Sequence, residues 1–257
     1  MNSLMHGDCL ELLENIKPSS IDMILCDLPY GTTACEWDKI IPIDKLFTLY
    51  KQVLKFNGSI VLTAKQPFTT MLIQSNMDIF KYCWVWIKNR PTGCQHSKNM
   101  PMSKHEDIIV FSQAPCGHVS QLSDRRMHYN PQGCVHVGMT SVNKSAHGKY
   151  MGERPNQIGK IYEKYTNYPN TVLYFDKEEC HLHPTQKPVA LFEYLIKSYT
   201  NEGDTVLDNC AGSGTTAIAA INTKRNYCIM EKEQQYIDII KKRIEDRNSI
   251  KSVELFF

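Results

Sequence analysis

The chain has 257 residues, 42% of them hydrophobic, which suits one α/β domain with an insertion and excludes global disorder. No apolar run is long enough to span a bilayer, and residues 1–8 lack the basic and apolar segments of a secretory leader, so no membrane partner is expected. Net charge is only +2, but between Lys88 and Phe175 eleven Lys or Arg face five Asp or Glu, which gives that stretch +6 and leaves −4 elsewhere.

Taken in chain order, the ends of the sequence alternate between strand and helix, the pattern of a parallel sheet. Asp8 can cap a short helix over residues 10–13. Residues 21–26 and 59–63 are apolar runs preceded by turn residues, and each reads as a buried parallel strand. Between them Leu46, Leu49, Tyr50, Val53 and Leu54 recur at helical spacing. Residues 82–87 and 107–111 read as two further strands, with Trp84 and Trp86 on a core face. Residues 113–170 break the pattern, with six glycines, four prolines and weak apolar periodicity. So long an irregular stretch within a compact domain is usually functional. After it, Pro188 can open a helix through Leu191, Tyr194, Leu195 and Tyr199. A strand over 205–207, a helix over 215–221, a strand over 227–230 and a helix over 234–247 complete the chain. Ten cysteines are scattered without the clustering of a disulfide scaffold, which fits reduced thiols in the cytoplasm.

Two strand ends carry chemistry. Asp27-Leu28-Pro29-Tyr30 follows the first strand and offers a carboxylate, a carbonyl restrained by the following proline, and a ring. Asp208-Asn209-Cys210-Ala211-Gly212-Ser213-Gly214 joins a strand to a helix, and its glycines let a ligand approach the backbone. Glu231 ends the next strand, where an acid suits two ribose hydroxyls, as in dinucleotide folds. Together these ends describe an enzyme that holds a nucleotide-like cofactor near a planar amine.

These residues resemble the amino-methylating DNA methyltransferases. Asp27–Tyr30 resembles that family's Asp-Pro-Pro-Tyr catalytic run, Asp208–Gly214 its glycine-rich cofactor run, and His183-Pro184-Thr185-Gln186-Lys187-Pro188 a third family element. Their order is that of the β group, a circular permutation of the common order. The resemblance implies a Rossmann-like methyltransferase fold: a mostly parallel seven-stranded sheet flanked by helices. It divides the chain into a catalytic half (1–112), a small inserted target-recognition region (113–175) and a cofactor-binding half (176–257). It implies S-adenosylmethionine as cofactor, held by Asp8, Asp27, Thr185, Lys187, Asp208, Cys210, Ala211, Gly212, Gly214 and Glu231, with Thr185 and Lys187 at the cofactor carboxylate. Cys210 stands where relatives usually carry an aromatic or apolar residue.

An exocyclic amine is a poor nucleophile because its lone pair is delocalised. Asp27 and the Leu28 carbonyl can accept its two hydrogens and favour the tetrahedral nitrogen of the transition state, while Tyr30 stacks on the base. The base must leave the duplex to reach them. Asp, rather than Ser, in the first position points to adenine N6, with cytosine N4 as the alternative. A protein-glutamine methyltransferase shares an Asn-Pro-Pro-Tyr run but places the cofactor run first. A DNA-binding module on an inactive scaffold is opposed by the intact Asp27, Tyr30, Asp208, Gly212 and Gly214. Pro115-Cys116 could suggest a cytosine-C5 nucleophile but lies in the irregular middle.

The basic middle suggests a polyanion-facing surface, and charge alone weighs that evenly against a solvated Lys-rich loop region; the resemblance implies double-stranded DNA as the partner, met by Lys88, Arg90, Arg125, Arg126 and Arg154. Trp37 either lines the target pocket or anchors a loop. The pairs Cys94/His96, Cys116/His118 and Cys134/His136 have an offset unlike most zinc ligand pairs, so no metal is expected. A homodimer is expected from the β-group resemblance, with Phe47, Tyr50, Phe68, Met71 and Leu72 as candidate interface residues, and a cognate restriction endonuclease is a further partner of such enzymes.

Overall fold

The computed structural model describes residues 2–32, 38–117, 125–142, 144, 147–148, 152–153, 158–177 and 186–254. By contacts the chain forms two compact units, Met1–Asn130 with Thr171–Phe257, and Pro131–Asn170.

In the larger unit the apolar runs become strands covered on both faces. They are β1 (Ser3–His6), β2 (Ile21–Cys26), β3 (Leu54–Ala64), β4 (Phe80–Thr92), β5 (Ser103–Phe111), β10 (Val172–Tyr174), β11 (Thr205–Asp208) and β12 (Asn226–Glu231). Their spatial order is β1-β12-β11-β2-β3-β5-β4-β10. From β1 through β3 all pairings are parallel, whereas β5 runs antiparallel to both β3 and β4. The expected seven strands become eight described ones because Val172–Tyr174 adds a short parallel edge to β4. That edge and β1 are three and four residues long, too short to leave a periodic signal.

Successive residues of each strand feed opposite cores. Met23, Leu25, Val61, Ile108 and Val110 pack on one face beneath α4 (Val189–Tyr199), α5 (Thr215–Asn222) and α6 (Gln234–Glu254). Ile24, Cys26, Ile60, Leu62, Ile109 and Phe111 pack on the other beneath α1 (Cys9–Glu14), α2 (Ile43–Val53) and α3 (Phe68–Ser75). Trp84 and Trp86 are core residues, as expected, and their indole N–H groups donate to the Tyr199 hydroxyl at 2.6 Å and the Phe175 carbonyl at 2.8 Å. The helix α3 was not anticipated, since Phe68-Thr69-Thr70-Met71-Leu72 mixes β-branched and apolar residues without a polar face.

The smaller unit pairs β6 (Val135–Val142) antiparallel with β9 (Ile161–Thr166), and two short strands, β7 (His147–Gly148) and β8 (Gly152–Glu153), with each other. Its bounds are narrower than the expected insertion over 113–175. Ala114 and Met127 are buried in the core of the larger unit. Between His136 and Thr140 the ribbon is bulged, and Gly138 there has φ +73°.

The expected dimer residues are mostly core. Phe47, Tyr50, Phe68 and Leu72 are at most 2% exposed and pack in the face beneath α1–α3; only Met71, at 40%, reaches solvent. The helical apolar stripe that suggested an interface is the stripe that covers the sheet. Phe47→Ala, which removes edge contacts to Tyr50 and Phe111, should therefore destabilise the fold by about 3–5 kcal/mol. Met71→Ala should stay within about 0.5 kcal/mol of wild type. Urea denaturation midpoints of the two variants check this.

Candidate active site

Parallel β11 and β2 are neighbours, yet the helices that follow them, α5 and α2, cover opposite faces of the sheet. That divergence opens a crevice at the carboxyl ends of the two strands, where ligands bind in such folds. A cavity of about 690 Å³ lies there, lined by both expected strand ends and by Gly7, Asp8, Lys88, Glu106, Lys187 and Glu231. This is the size of a small-molecule site.

The β11 end forms one wall. Asp208 is 3% exposed, and its carboxylate accepts from the Cys210 N–H at 3.0 Å and from the Thr216 hydroxyl, tying the turn to the start of α5. Burial raises its carboxyl to about 6, against those hydrogen bonds, which lower it. Gly214 sits at φ +82°, and a side chain there would meet Ile240 at 2.9 Å, so the turn requires glycine. Glu231 accepts three backbone N–H groups, from Gly212 at 2.8 Å, Lys232 at 2.8 Å and Glu233 at 2.9 Å, and so clasps the glycine turn to the end of β12. Burial raises its carboxyl despite these bonds. Asp8 caps α1 through the Leu10 N–H at 2.9 Å, as expected, and it also lines the cavity.

Cys210 lies in a thiol cluster. Its hydrogen bond raises the Cys9 thiol strongly, while burial pushes Cys26 up to about 12. All three therefore stay protonated and behave as small packing groups. Beside them Asn209 accepts from the buried Tyr50 hydroxyl, a contact across from α2 that no local pattern announced.

The β2 end forms the opposite wall. The Tyr30 hydroxyl donates to Asp27 Oδ1 at 2.8 Å, and the Thr63 hydroxyl donates to the same oxygen. Lys187 Nζ donates to Asp27 Oδ2 at 2.5 Å and lies 5.7 Å from the centroid of the Tyr30 ring. The Tyr30 ring also packs on Phe68, with centroids 5.4 Å apart. Gly31 and Thr32 N–H groups donate to Asp38 at 2.8 and 2.9 Å, which holds the chain after Tyr30.

Lys187 thus lies in the cavity against the catalytic run. Burial alone would lower its ammonium, but Asp27 and Glu106 outweigh burial and hold it above its ordinary value. Lys88 is displaced from expectation. It is 3% exposed, lines the cavity and bonds Glu106 at 3.2 Å, so it presents no charge to an outer surface. Burial lowers its ammonium. Thr185, His183, Pro184, Arg154, Trp37 and His118 lie outside the described residues. Arg90 and Arg125 are exposed and Arg126 half-buried. Among the described residues no group of His, Cys, Asp or Glu is arranged to hold a metal ion.

Thr63, Glu106, Asn209 and Asp38 escaped the sequence reading. Thr63 carries a usable signal, a polar residue closing an apolar strand. Glu106 becomes legible only once β5 is known to run antiparallel, because that direction brings its amino-terminal half to the carboxyl edge of β3, where Asp107 pairs with Ala64.

Residues 21–242 match a protein-family model described as DNA methylase. Among curated proteins the chain is 25% identical to the type II methyltransferase M.HinfI of Haemophilus influenzae, over 96% of this chain and 69% of that one. It is 27% identical to the DNA adenine methyltransferase YhdJ of Escherichia coli K12, over 98% and 86%. Among solved structures it is similar to the M1.HpyAVI–SAM complex, with TM-score 0.61 and 24% identity over 95% of this chain and all of the other. It is also similar to the cytosine-N4-specific PvuII DNA methyltransferase, with TM-score 0.64 and 16% identity over 93% and 85%. At such identities the two structures speak for the fold, and they leave the acceptor open.

The raised carboxyl of Asp208 makes a testable difference to stability. The folded chain binds this proton more tightly than the unfolded chain, whose carboxyl keeps the ordinary 3.8. Stability from this group is therefore greatest below about pH 4 and is lost as pH rises through 6. Asp208→Asn should remove that dependence, so wild type should lose up to roughly 3 kcal/mol relative to the variant between pH 4 and 7. Denaturant titrations of both proteins across that range measure it.

Proposed function

The chain belongs to the DNA methylase family that its residues 21–242 match, and from that premise we propose that it transfers a methyl group from S-adenosylmethionine to the N6 amine of a flipped adenine in double-stranded DNA. The observation that carries this reading is Asp27 and Tyr30 sharing one cavity with the glycine turn of Asp208–Gly214. Adenine rather than cytosine N4 is favoured by Asp in the first position of the run, and YhdJ, similar over nearly the whole chain, is named for adenine.

The cavity suits the cofactor. Its β11 wall is formed by the turn after Asp208, with Gly212 lining the cavity, Glu231 at the end of the adjacent strand and the acids Asp8 and Asp208 facing a cationic ligand. When bound, S-adenosylmethionine supplies an electrophilic methyl on a sulfonium. Asp27 and the Leu28 carbonyl accept the hydrogens of the target amine, which drives its nitrogen toward tetrahedral geometry and exposes the lone pair. Pro29 limits the backbone that aims the Leu28 carbonyl. The Tyr30 ring, braced by Phe68, offers a face to the base. The buried surroundings strengthen each of these interactions.

Arg90, Arg125, Arg126 and Arg154 carry the phosphate contacts in this reading, within the stretch of net charge +6. The smaller unit, Pro131–Asn170, falls within the target-recognition region. A cognate restriction endonuclease is a further partner, a reading supported by the type II naming of several relatives, and a second copy of the chain is a partner that rests on the β-group resemblance alone. The enzyme acts in the cytoplasm, a reducing compartment that suits its free cysteines.

Incubation with DNA and methyl-labelled cofactor, followed by digestion to nucleosides, should place the label in N6-methyladenine; label in N4-methylcytosine overturns the acceptor. Asp27→Ala should abolish turnover and leave cofactor affinity within about threefold, because its loss is felt in the transition state. Isothermal titration beside a turnover assay separates the two effects. DNA affinity should fall steeply with salt, and Arg125→Glu with Arg126→Glu should weaken binding and reduce the slope by roughly one for each phosphate that is no longer neutralised.

A further inference from the structure

The carboxylate of Asp27 already accepts three hydrogen bonds. Oδ1 accepts from the Tyr30 and Thr63 hydroxyls, and Oδ2 accepts from Lys187 at 2.5 Å. A target amine that is to donate a hydrogen to Asp27 competes with these donors for the carboxylate's lone pairs, and at Oδ2 with the Lys187 ammonium. Tyr30 and Thr63 are short-range partners fixed by the backbone of β3 and of the catalytic run. Lys187 is the long, flexible donor, and a second acceptor stands ready for it. Glu106 Oε2 lies 3.4 Å from Lys187 Nζ and is buried, yet it accepts no hydrogen bond there. Its other oxygen is held by Lys88 at 3.2 Å, so the Glu106 carboxylate is anchored from one side and open on the other. A buried carboxylate oxygen without a hydrogen bond is costly unless a donor arrives at some stage.

We propose that Glu106 is a positioning residue of the methyl-transfer site: it receives the Lys187 ammonium when the target amine engages Asp27, so that Oδ2 is released without leaving a buried lysine unpaired. The inference rests on the methyl-transfer reading above. In the structure Lys187 contacts both carboxylates, and with Lys88 it balances their charge. With the amine bound, Lys187 moves wholly onto Glu106 and its charge stays inside the network. The movement is a shift between acceptors on one side chain and transfers no proton. Lys88 keeps Glu106 oriented throughout.

The test uses the intact enzyme with DNA and S-adenosylmethionine. Glu106→Gln keeps the shape but removes the charge that would draw Lys187 away. It should lower kcat on the order of 10- to 100-fold, the scale of a misplaced reacting group, with cofactor Kd within about threefold of wild type. Glu106→Asp should recover part of the loss. Because the effect runs through Lys187, the pair Glu106→Gln with Lys187→Met should be no slower than Lys187→Met alone. Wild-type kcat in Glu106→Gln overturns the proposal, as does an equal loss of cofactor binding or a multiplicative loss in the double variant. Wild-type enzyme that fails to methylate DNA at all is a different result: it refutes the functional reading itself, and this inference with it.

Discussion

The site depends on the pairing of β2 with β11. These strands lie some 180 residues apart in the chain, and parallel pairing of Met23 with Val206 and of Ile24 with Leu207 brings their carboxyl ends into line. Asp27 and Asp208 each stand at the end of an apolar run that can be buried only inside a doubly covered sheet. Hydrophobic burial of those runs is the driving force, and it places two carboxylates at one edge as a by-product. The opposite placement of α2 and α5 then keeps that edge open. Without the divergence the two strand ends would be capped, and neither chemistry would have room for a ligand.

What fills the edge is a set of charges that compensate one another. Asp27, Lys187, Glu106 and Lys88 form an alternating chain of contacts from the catalytic run to β4. Buried ions persist only when paired, and each member here has a partner of opposite sign. The same arrangement supplies function: a network of two acids and two bases can rearrange internally while its total charge stays constant. The cofactor wall is built differently. There the acids Asp208 and Glu231 are held by hydrogen bonds from the turn they stabilise, rather than by a lysine partner. A wall of that kind suits a cationic ligand, whereas the catalytic wall suits a neutral amine.

The smaller unit follows another logic. Its ribbon β6–β9 exposes Val135, Val137, Met139, Ile161, Tyr162 and Tyr165, with little buried surface of its own. Two strands alone are marginal in water. Its specification thus rests on backbone pairing and on the bulge at Gly138.

By itself the sequence determined the order of most elements of the larger unit, though not β1, α3 or the Val172–Tyr174 edge, and both reactive strand ends. Continuous apolar runs such as 21–26 and 205–207 have one stable home, a buried parallel strand, and Gly214 admits one kind of turn. It also identified Asp27, Tyr30, Asp208 and Glu231 as cavity residues, because a polar residue at the end of such a run must face the ligand edge. Only the tertiary structure decided the partners. Lys187 meets Asp27 across 160 residues of sequence, a contact that no local pattern announces; Lys88 was assigned to DNA and lies buried against Glu106; Phe47 and Tyr50 were candidates for an interface and fill the core. Each of these depends on strand direction and on packing between residues far apart in the chain. The local pattern of a charged or aromatic residue is the same whether it meets solvent, a ligand or an oppositely charged neighbour. Which of these it meets is set by the long-range packing of the sheet.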